Sequence, residues 1–226
     1  MLSLLLILLL SYLTGSIPTS IIVARITRGI DIRQHGSGNA GGTNAFRVLG
    51  WKAGLFVSLV DIGKGVFATL VISQIRIGGL PFENQSAVMV LAGICAILGH
   101  TFTIFAGFKG GKGVACGAGM LLGLFPVAFL ICLLVFALVL FSTGTVSLSS
   151  ISAAVSLPIV LLLFDRFTAM PVDGVLLGVS ILIPLFIIFT HRTNIRRLLK
   201  GDENSFEKLK IFRKRNSNSQ PPNLVK

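Results

Sequence analysis

The first cluster of residues able to bind a ligand spans residues 36–47, GSGNAGGTNAFR. Glycines let the backbone approach a ligand closely and aim amide groups at an anion, and the fork of Arg47 suits a phosphate. A GxGxxG pattern is present, but a dinucleotide fingerprint needs a preceding strand, and an apolar run and a charged linker precede this one. A flexible loop is the plainer alternative. The candidate binding residues are Gly36, Ser37, Gly38, Asn39, Thr43, Asn44 and Arg47.

The second cluster, residues 99–114, reads GHTFTIFAGFKGGKGV. It is similar to a P-loop without being one, because Ala106 stands at the first Walker glycine and Gly113 replaces the magnesium-binding Ser or Thr. A glycine loop that leads into a helix N-terminus is still a natural phosphate cradle. A lone histidine such as His100 is usually structural. The candidate residues are His100, Gly107, Lys109, Gly110, Gly111, Lys112 and Gly113.

The third cluster, residues 191–203, reads HRTNIRRLLKGDE. Its basic residues are explained equally well as anchors at a membrane surface. Asn194 and the acidic pair Asp202 and Glu203 do not fit that role. The candidates are His191, Arg192, Asn194 and Glu203, and together the three clusters predict one concave site for an anionic ligand.

Asp61 and Lys64 give a weaker signal. They are three residues apart, so they share one face of a helix. Paired charges within an apolar segment are costly and frequently functional, but a structural ion pair near the membrane interface explains them equally well. Lys64 is kept among the substrate-binding candidates.

The elements that must position these clusters are membrane helices. Hydrophobic residues make up 53% of the 226 residues and charged residues only 12%, against about 25% charged in soluble domains. A helix that crosses the bilayer needs about 20 apolar residues, and six runs nearly free of charge approach that length without the alternation of a membrane β-barrel. They are 2–24, 53–74, 86–105, 114–141, 147–164 and 173–190. The sequence therefore predicts an all-α polytopic helical membrane protein and excludes a disordered chain.

The basic residues predict the orientation. Of the 20 Lys and Arg residues, only Arg76 and Arg166 fall outside the segments that one membrane face can hold, and positive-inside bias makes that face cytoplasmic. This orientation needs an even number of crossings between Lys112 and His191, where only three runs lie. Pro126, which interrupts a helix, would divide run 114–141 into two. We therefore expect seven transmembrane helices, the N-terminus outside and the C-terminus inside, in a single domain over residues 1–203 with a basic polar tail over 204–226.

Two other classes of site are disfavoured. Nucleic acid is not expected as a partner, because the basic residues flank apolar runs, where anionic lipid headgroups account for them. The three cysteines, Cys95, Cys116 and Cys132, lack the spacing of a metal site, so neither a metal nor a disulfide is expected. The remaining alternatives to an enzyme are a transporter of organic phosphates and a structural membrane scaffold.

In order along the chain, the motifs GSGN-x-G-x-TN-xx-R, FKGGKGVA and HR-x-NI-x-RL resemble those of the bacterial acyl-phosphate:glycerol-3-phosphate acyltransferases. The GSIP run at 15–18 and D-xx-KG at 61–65 are similar to the same family, so the resemblance covers residues 15–203. It implies a seven-helix enzyme of the bacterial inner membrane with a cytoplasmic active site. The implied reaction moves a fatty acyl group from acyl phosphate to glycerol 3-phosphate and gives 1-acylglycerol 3-phosphate (lysophosphatidic acid) for phospholipid synthesis.

The resemblance also implies roles and partners. Fatty acyl phosphate and glycerol 3-phosphate are the expected substrates, membrane lipids the surroundings and the soluble enzyme that makes acyl phosphate a candidate partner; no cofactor is expected. The proton acceptor stays open between His191, Glu203 and a substrate phosphate. Departures from the family's pattern occur at Gly42, Thr103 and Cys116, of which Thr103 is expected to loosen the entry to the glycine loop. Catalytic roles are expected for Ser37, Arg47, His191, Asn194 and Glu203, and substrate binding for Gly36, Gly38, Asn39, Thr43, Asn44, Lys64, His100, Gly107, Lys109, Gly110, Gly111, Lys112, Gly113 and Arg192.

Overall fold

The computed structural model of the protein describes residues 1–169 and 171–206. The regular elements of the described residues are all α-helices or 3₁₀ turns, as the composition predicts. Most of the expected basic tail lies outside the described residues. The α-helices of this part are α1 (Leu2–Ser16), α2 (Thr19–Arg28), α3 (Gly42–Leu49), α4 (Trp51–Leu70), α5 (Gln85–Thr101), α6 (Val114–Leu124), α7 (Pro126–Thr143), α8 (Val146–Phe167), α9 (Gly174–Thr190) and α10 (Arg192–Lys200).

The first apolar run is not the single helix expected over 2–24. It is divided into α1 and α2 at Pro18, and Ile17 has an extended ψ of 113°. Proline lacks an N–H group and disfavours the helical conformation of the residue before it. The break leaves the Ile17 carbonyl without a helical partner, and this oxygen accepts a hydrogen bond from Lys64 Nζ at 2.6 Å.

The run 114–141 is divided at Pro126, as the sequence predicts. α6 ends at Leu124, Phe125 is non-helical with φ −150°, and α7 begins at the proline. Proline is well suited to a first helical position, where its missing N–H costs no hydrogen bond. α6 has only 11 residues, or about 16 Å at 1.5 Å per residue, so it is shorter than the hydrocarbon core of a bilayer.

Glycines allow the helices around the site to approach closely. A Cβ atom on Gly65 of α4 would lie 2.0 Å from the Cys116 carbonyl oxygen of α6, and one on Gly119 of α6 would lie 1.9 Å from the Ile62 carbonyl oxygen of α4. Both distances are far below a contact distance, so only glycine fits. Small residues at such crossings are typical of helix packing in membranes. They fix α6, and with it the glycine loop that precedes α6.

The three polar clusters lie at one end of the helix bundle. Arg33 Nη1, three residues before the first cluster, donates to the Ala106 carbonyl at 2.8 Å and so joins the segment that leads into the first cluster to the second cluster. The Thr190 hydroxyl at the end of α9 donates to the Lys112 carbonyl at 3.1 Å and joins the third cluster to the second. α6 starts at this end and α7 returns to it, since the Gly144 carbonyl after α7 accepts the Phe206 N–H at 2.7 Å.

By length and composition, five segments of the described chain can cross a membrane, or six if α9 and the bent α10 form one broken span. The five are 2–28, 51–74, 85–106, 126–143 and 146–167. The protein is therefore a polytopic helical membrane protein. The expected seventh helix is α6, which is apolar but too short to count by itself.

Candidate active site

A cavity of about 450 Å³ opens where the three clusters meet. Its polar part, called the polar mouth below, is lined by nine residues drawn from all three clusters. They are Ser37, Asn39, Thr43, Arg47, His100, Lys112, His191, Asn194 and Glu203. Residues separated by more than 160 positions along the chain thus surround one space, as a shared anion site requires.

The interior of the same cavity is apolar. It runs between α6, α7 and α8 and is lined by Leu121, Phe129, Leu133, Phe136 and Leu157. Ser147 is bonded to Glu203 of the polar mouth, and Leu157 lies ten residues further along α8, or about 15 Å. Val160 and Leu161, the next core residues of α8, are buried and do not line the cavity. The space can therefore hold an amphiphile whose polar group stays at the mouth.

Asn44 shapes the first loop from beneath. It is fully buried, its Oδ1 accepts the Ser37 N–H at 2.8 Å, and its Nδ2 donates to the carbonyls of Ile32 and His35 at 3.1 and 2.9 Å. Gly36 has φ +62°, and a Cβ there would lie 2.3 Å from Asn44 Oδ1. Asn44 and Gly36 thus hold Ser37 at the polar mouth without lining the cavity themselves.

The glycine loop folds back onto the end of α5. Gly110 N–H donates to the Thr101 carbonyl at 3.1 Å and Gly111 N–H to the His100 carbonyl at 3.0 Å, while a Cβ on Gly111 would lie 2.1 Å from His100 Nε2. The Thr103 hydroxyl donates to the Ser16 carbonyl. Threonine at this position therefore fixes the entry to the glycine loop against α1, whereas we expected it to loosen the entry.

The loop ends at the N-terminus of α6. Gly113 precedes this helix with φ +84°, a conformation that favours glycine, and no side chain caps the helix. Val114 and Ala115, in its first turn, line the cavity beside Lys112. The free N–H groups and the positive end of the helix dipole are therefore available to an anion at the polar mouth.

Lys112 and Glu203 are joined through Asn194. Lys112 Nζ donates to Asn194 Oδ1, and Asn194 Nδ2 donates to Glu203 Oε1 at 2.6 Å. Glu203 also accepts from Ser147 at 3.0 Å and from Arg197 Nε at 2.8 Å. Burial lowers the pKa of Lys112 to about 8. Burial opposes ionisation of Glu203, but its hydrogen bonds outweigh burial and lower the pKa of its carboxyl.

His191 is neutral at physiological pH. It is buried, and burial together with the nearby Lys112 charge lowers the pKa of His191 to about 4. Its Nδ1 lies 2.8 Å from the Ile187 carbonyl oxygen. Because a carbonyl only accepts hydrogen bonds, the neutral ring carries its proton on Nδ1. Nε2 is then an acceptor available to a substrate hydroxyl.

Lys64 takes part in a buried polar network next to the cavity. Its ammonium donates to Asp61 Oδ1 at 2.7 Å, and the Thr19 hydroxyl donates to the same oxygen at 3.2 Å. His100 Nδ1 lies 3.7 Å from Asp61 Oδ1. Asp61 and His100 line the cavity, but Lys64 does not. Lys64 therefore holds α4 against the break at Ile17 and reaches the cavity only through Asp61.

Four other predicted residues also lie away from the cavity. Gly38, Gly107, Lys109 and Gly110 line a second, open pocket of about 530 Å³ together with Asp31 and Arg33.

Arg192 lies on the outer side of α10, away from the polar mouth. Its side chain donates to the Phe189 carbonyl at 3.1 Å and stacks on the Phe189 ring at 4.8 Å. Of the 19 predicted residues, the nine of the polar mouth thus line one cavity. Gly111 and Gly113 are also absent from its lining, and Arg192 points elsewhere.

Two residues that support the site, Arg33 and Ser147, were not predicted from the sequence. Arg33 forms an ion pair with Asp31 at 2.7 Å and also fixes Ala106, so it braces the first two clusters. Ser147 donates to Glu203 at the polar mouth. The short spacing of Asp31 and Arg33 was a usable signal. Ser147 is one of several serines in the first, otherwise apolar part of α8, a pattern that marks polar contacts within a membrane protein.

Comparison with known proteins agrees with this geometry. Residues 5–201 match the family model described as glycerol-3-phosphate acyltransferase. Curated glycerol-3-phosphate acyltransferases of Chlorobium phaeobacteroides are 47% identical (strain DSM 266) and 49% identical (strain BS1), each alignment covering 90% of this chain and 97% of the relative. The enzyme of Chlorobaculum tepidum is 46% identical with the same coverage.

Two solved structures of PlsY (YgiH), an integral membrane glycerol 3-phosphate acyltransferase, share the fold. The glycerol 3-phosphate form superposes with a TM-score of 0.80 at 36% identity, and the lysophosphatidic acid form with 0.77 at 35%; both cover 92% of this chain and 97% of the other. The sequence identity is high over almost the full length, the fold matches, and the motifs meet at one cavity. The chain belongs to the glycerol-3-phosphate acyltransferase family of integral membrane enzymes.

Proposed function

We propose that the protein transfers a fatty acyl group from acyl phosphate to glycerol 3-phosphate, giving lysophosphatidic acid and phosphate. The observation that carries this proposal is the single cavity with a cationic polar mouth and an apolar interior. The mouth suits two anionic phosphates, and the interior suits a fatty chain, whose burial contributes about 0.8 kcal/mol per methylene. The relatives described above are named glycerol-3-phosphate acyltransferases, which agrees with the proposed acceptor and reaction type.

In the proposed mechanism the protein orients two substrates that are already reactive. Arg47, Lys112 and the N-terminus of α6 bind the phosphates, and Ser37 donates a hydrogen bond at the same place. The glycerol hydroxyl on carbon 1 attacks the acyl carbonyl carbon, a new ester bond forms, and the bond to the phosphate oxygen breaks. Lys112 stabilises the charge that grows on the departing phosphate. The proton of the hydroxyl passes to His191 Nε2 or to a phosphate oxygen.

Direct transfer is supported by the positions of the cysteines. Cys116, next to the glycine loop in sequence, is fully buried and does not line the cavity. Cys132 lines the apolar interior near Leu133, away from the polar mouth. An acyl phosphate is an activated donor that needs no thiol relay. The described residues contain no group of three or more His, Cys, Asp or Glu able to hold a metal ion.

We also propose seven crossings of the bacterial inner membrane, with the N-terminus outside, the C-terminus inside and the polar mouth facing the cytoplasm. The directions of the helices support this topology. α6 runs away from the polar-mouth end of the bundle and α7 runs back to it. α8 then runs away from the same end and α9 runs back to it. α6 then counts as a short crossing. The basic residues that gather at the polar-mouth end agree with positive-inside bias.

The reaction is tested with purified protein in detergent by measuring phosphate release from acyl phosphate with and without glycerol 3-phosphate. We expect release only with both substrates, in equal amount with lysophosphatidic acid. Lys112→Met should remove most of this release, whereas Lys52→Met, an exposed lysine outside the cavity, should not. Uptake of glycerol 3-phosphate into vesicles without any acyl transfer would instead support a transporter and contradict the proposal.

A further inference from the structure

Helix α10 (Arg192–Lys200) has two faces with different surroundings. Its inner face holds Asn194, which is buried against Lys112, and Arg197, which is bonded to Glu203. Residues of a helix project at intervals of 3.6 per turn, so the opposite positions form one outer face. The outer face consists of Arg192, Ile195, Arg196, Leu199 and Lys200.

The outer face combines one prominent apolar side chain with several cations. Leu199 is 84% exposed, and Arg196 and Lys200 beside it are also exposed. α10 contains no acidic residue. A leucine next to a basic edge is typical of helices that lie in the headgroup layer of a membrane, where long basic side chains reach outward along the surface.

The connection to α9 fixes where this face lies. α9 is an apolar helix that crosses or enters the membrane, and α10 follows it after a single residue, His191. The two helices are bent by 62°. A helix that leaves a membrane-crossing helix at this angle runs closer to the membrane plane than to its normal. Leu199 therefore stays at the level of the lipid headgroups.

We propose that the outer face of α10 binds the surface of the membrane, with Leu199 inserted between lipids and Arg196 and Lys200 bound to the phosphates of anionic phospholipids. The charge of the face is complementary to that of an anionic leaflet. Because Asn194 and Arg197 lie on the other face of the same short helix, the bound lipid also holds Asn194 at the polar mouth and Arg197 against Glu203.

A stability measurement tests the role of the cations. The full-length protein is placed in nanodiscs of phosphatidylcholine, or of equal parts phosphatidylcholine and phosphatidylglycerol, and its Tm is measured. A ligand that binds only the folded state raises Tm, so we expect phosphatidylglycerol to raise the wild-type Tm. The double variant Arg196→Gln, Lys200→Gln should lose more than half of this rise.

A matched control removes two charges elsewhere. The double variant Lys52→Gln, Arg166→Gln changes the net charge equally but leaves α10 intact, and it should keep the wild-type rise. All of these proteins retain the full chain, so the basic residues after Phe206 contribute equally to the rise in Tm of each protein. An undiminished rise in the α10 variant, or an equal loss in the control, would overturn the proposal.

The position of Leu199 is tested independently of stability. In a Trp51→Phe background, Leu199→Trp provides a single indole on the outer face, and Thr193→Trp provides one about a third of a turn away from it on the same helix. Lipids brominated on their acyl chains should quench the fluorescence of the Leu199→Trp protein several-fold more strongly than that of the Thr193→Trp protein. Weak and equal quenching at both positions would show that α10 stands clear of the lipid and would refute the insertion.

Discussion

The guanidinium of Arg47 lies over the ring of Phe206, with its central carbon 4.9 Å from the ring centre. Arg47 Nη2 also donates to the Asn204 carbonyl at 3.2 Å, and the Phe206 N–H is fixed to Gly144. The segment after α10 therefore reaches across the polar mouth and holds Arg47 in place. Burial lowers the pKa of Arg47, and Glu203 opposes that shift.

The first prediction concerns this pair. Arg47→Ala should lower kcat/KM for glycerol 3-phosphate at least tenfold, since a hydrogen bond to a charged group contributes about 1.5–3 kcal/mol, while membrane insertion stays intact. Arg47→Lys should not restore full activity, because a lysine lacks the planar fork. Phe206→Ala should raise KM only a few-fold, as expected from a cation–π contact of about 0.5–1 kcal/mol.

Phe189→Ala is the control, since it removes the equivalent ring beneath Arg192, outside the cavity. Steady-state kinetics on well-inserted proteins measure all four variants. Unchanged kcat/KM in Arg47→Ala would remove Arg47 from the site, and an equal KM effect of Phe189→Ala and Phe206→Ala would mean that the stacking on Phe206 has no special role.

The second prediction is a pH dependence set by Lys112. Burial lowers the pKa of Lys112 from 10.5 to about 8, so the free enzyme loses this positive charge as the pH rises through about 8. The pH profile of kcat/KM reports ionisations of the free enzyme. We expect kcat/KM to fall above that pH. Lys112→Arg should move the fall to higher pH, since arginine stays protonated, whereas Lys52→Arg should leave it unchanged; a fall that persists in Lys112→Arg would assign it to another group.

The sequence predicts structural features that depend on the type of a single residue, such as a helix break at a proline. It does not predict contacts between residues that lie far apart along the chain. Pro126 divides its run because proline acts locally, whichever partners surround it. Asn44 looked like a ligand-binding residue, yet it holds the loop from beneath, because its partners Ile32 and His35 are brought close only by the turn at Gly36. Lys64 was left open between function and structure, and its bond to the carbonyl freed at Ile17 depends on a helix break that lies 47 residues away.

The third prediction concerns the length of the acyl chain. Ala154 lines the apolar interior, one turn of α8 above Leu157 at its floor, so Ala154→Phe should fill the lower part of the cavity. Each methylene of the acyl chain that is kept out of the cavity costs about 0.8 kcal/mol. If two methylenes are kept out, kcat/KM for long donors falls roughly 15-fold relative to that for short donors. Val155→Phe is the matched control, because Val155 is exposed on the outside of the same helix. Competition between acyl phosphates of different lengths measures the ratio; an unchanged ratio in Ala154→Phe would place the chain elsewhere.

The fourth prediction tests the topology. Once the native cysteines are removed, cysteines introduced by Ser37→Cys, Lys109→Cys and Asn204→Cys should react with an impermeant thiol reagent from the cytoplasmic side, and one introduced by Asn84→Cys from outside. Oriented vesicles and inverted vesicles provide the two sides. If α6 and α7 together made only one crossing, the cysteine of Asn204→Cys would be labelled from outside instead.

The last prediction is that no acyl-enzyme forms. Cys116 is fully buried beneath Gly65, whose missing side chain lets α4 contact the Cys116 backbone, so its thiol cannot reach an acyl phosphate at the polar mouth. Cys116→Thr should therefore keep most of its activity. Ser37, which does line the mouth, should act by hydrogen bonding. Ser37→Ala should therefore lower kcat, and neither this variant nor the wild type should carry a protein-bound acyl group. The test is to incubate the enzyme with radiolabelled acyl phosphate without glycerol 3-phosphate, denature it and count label on the protein. Stoichiometric label that disappears in Ser37→Ala or Cys116→Thr would replace direct transfer with a two-step route through that residue.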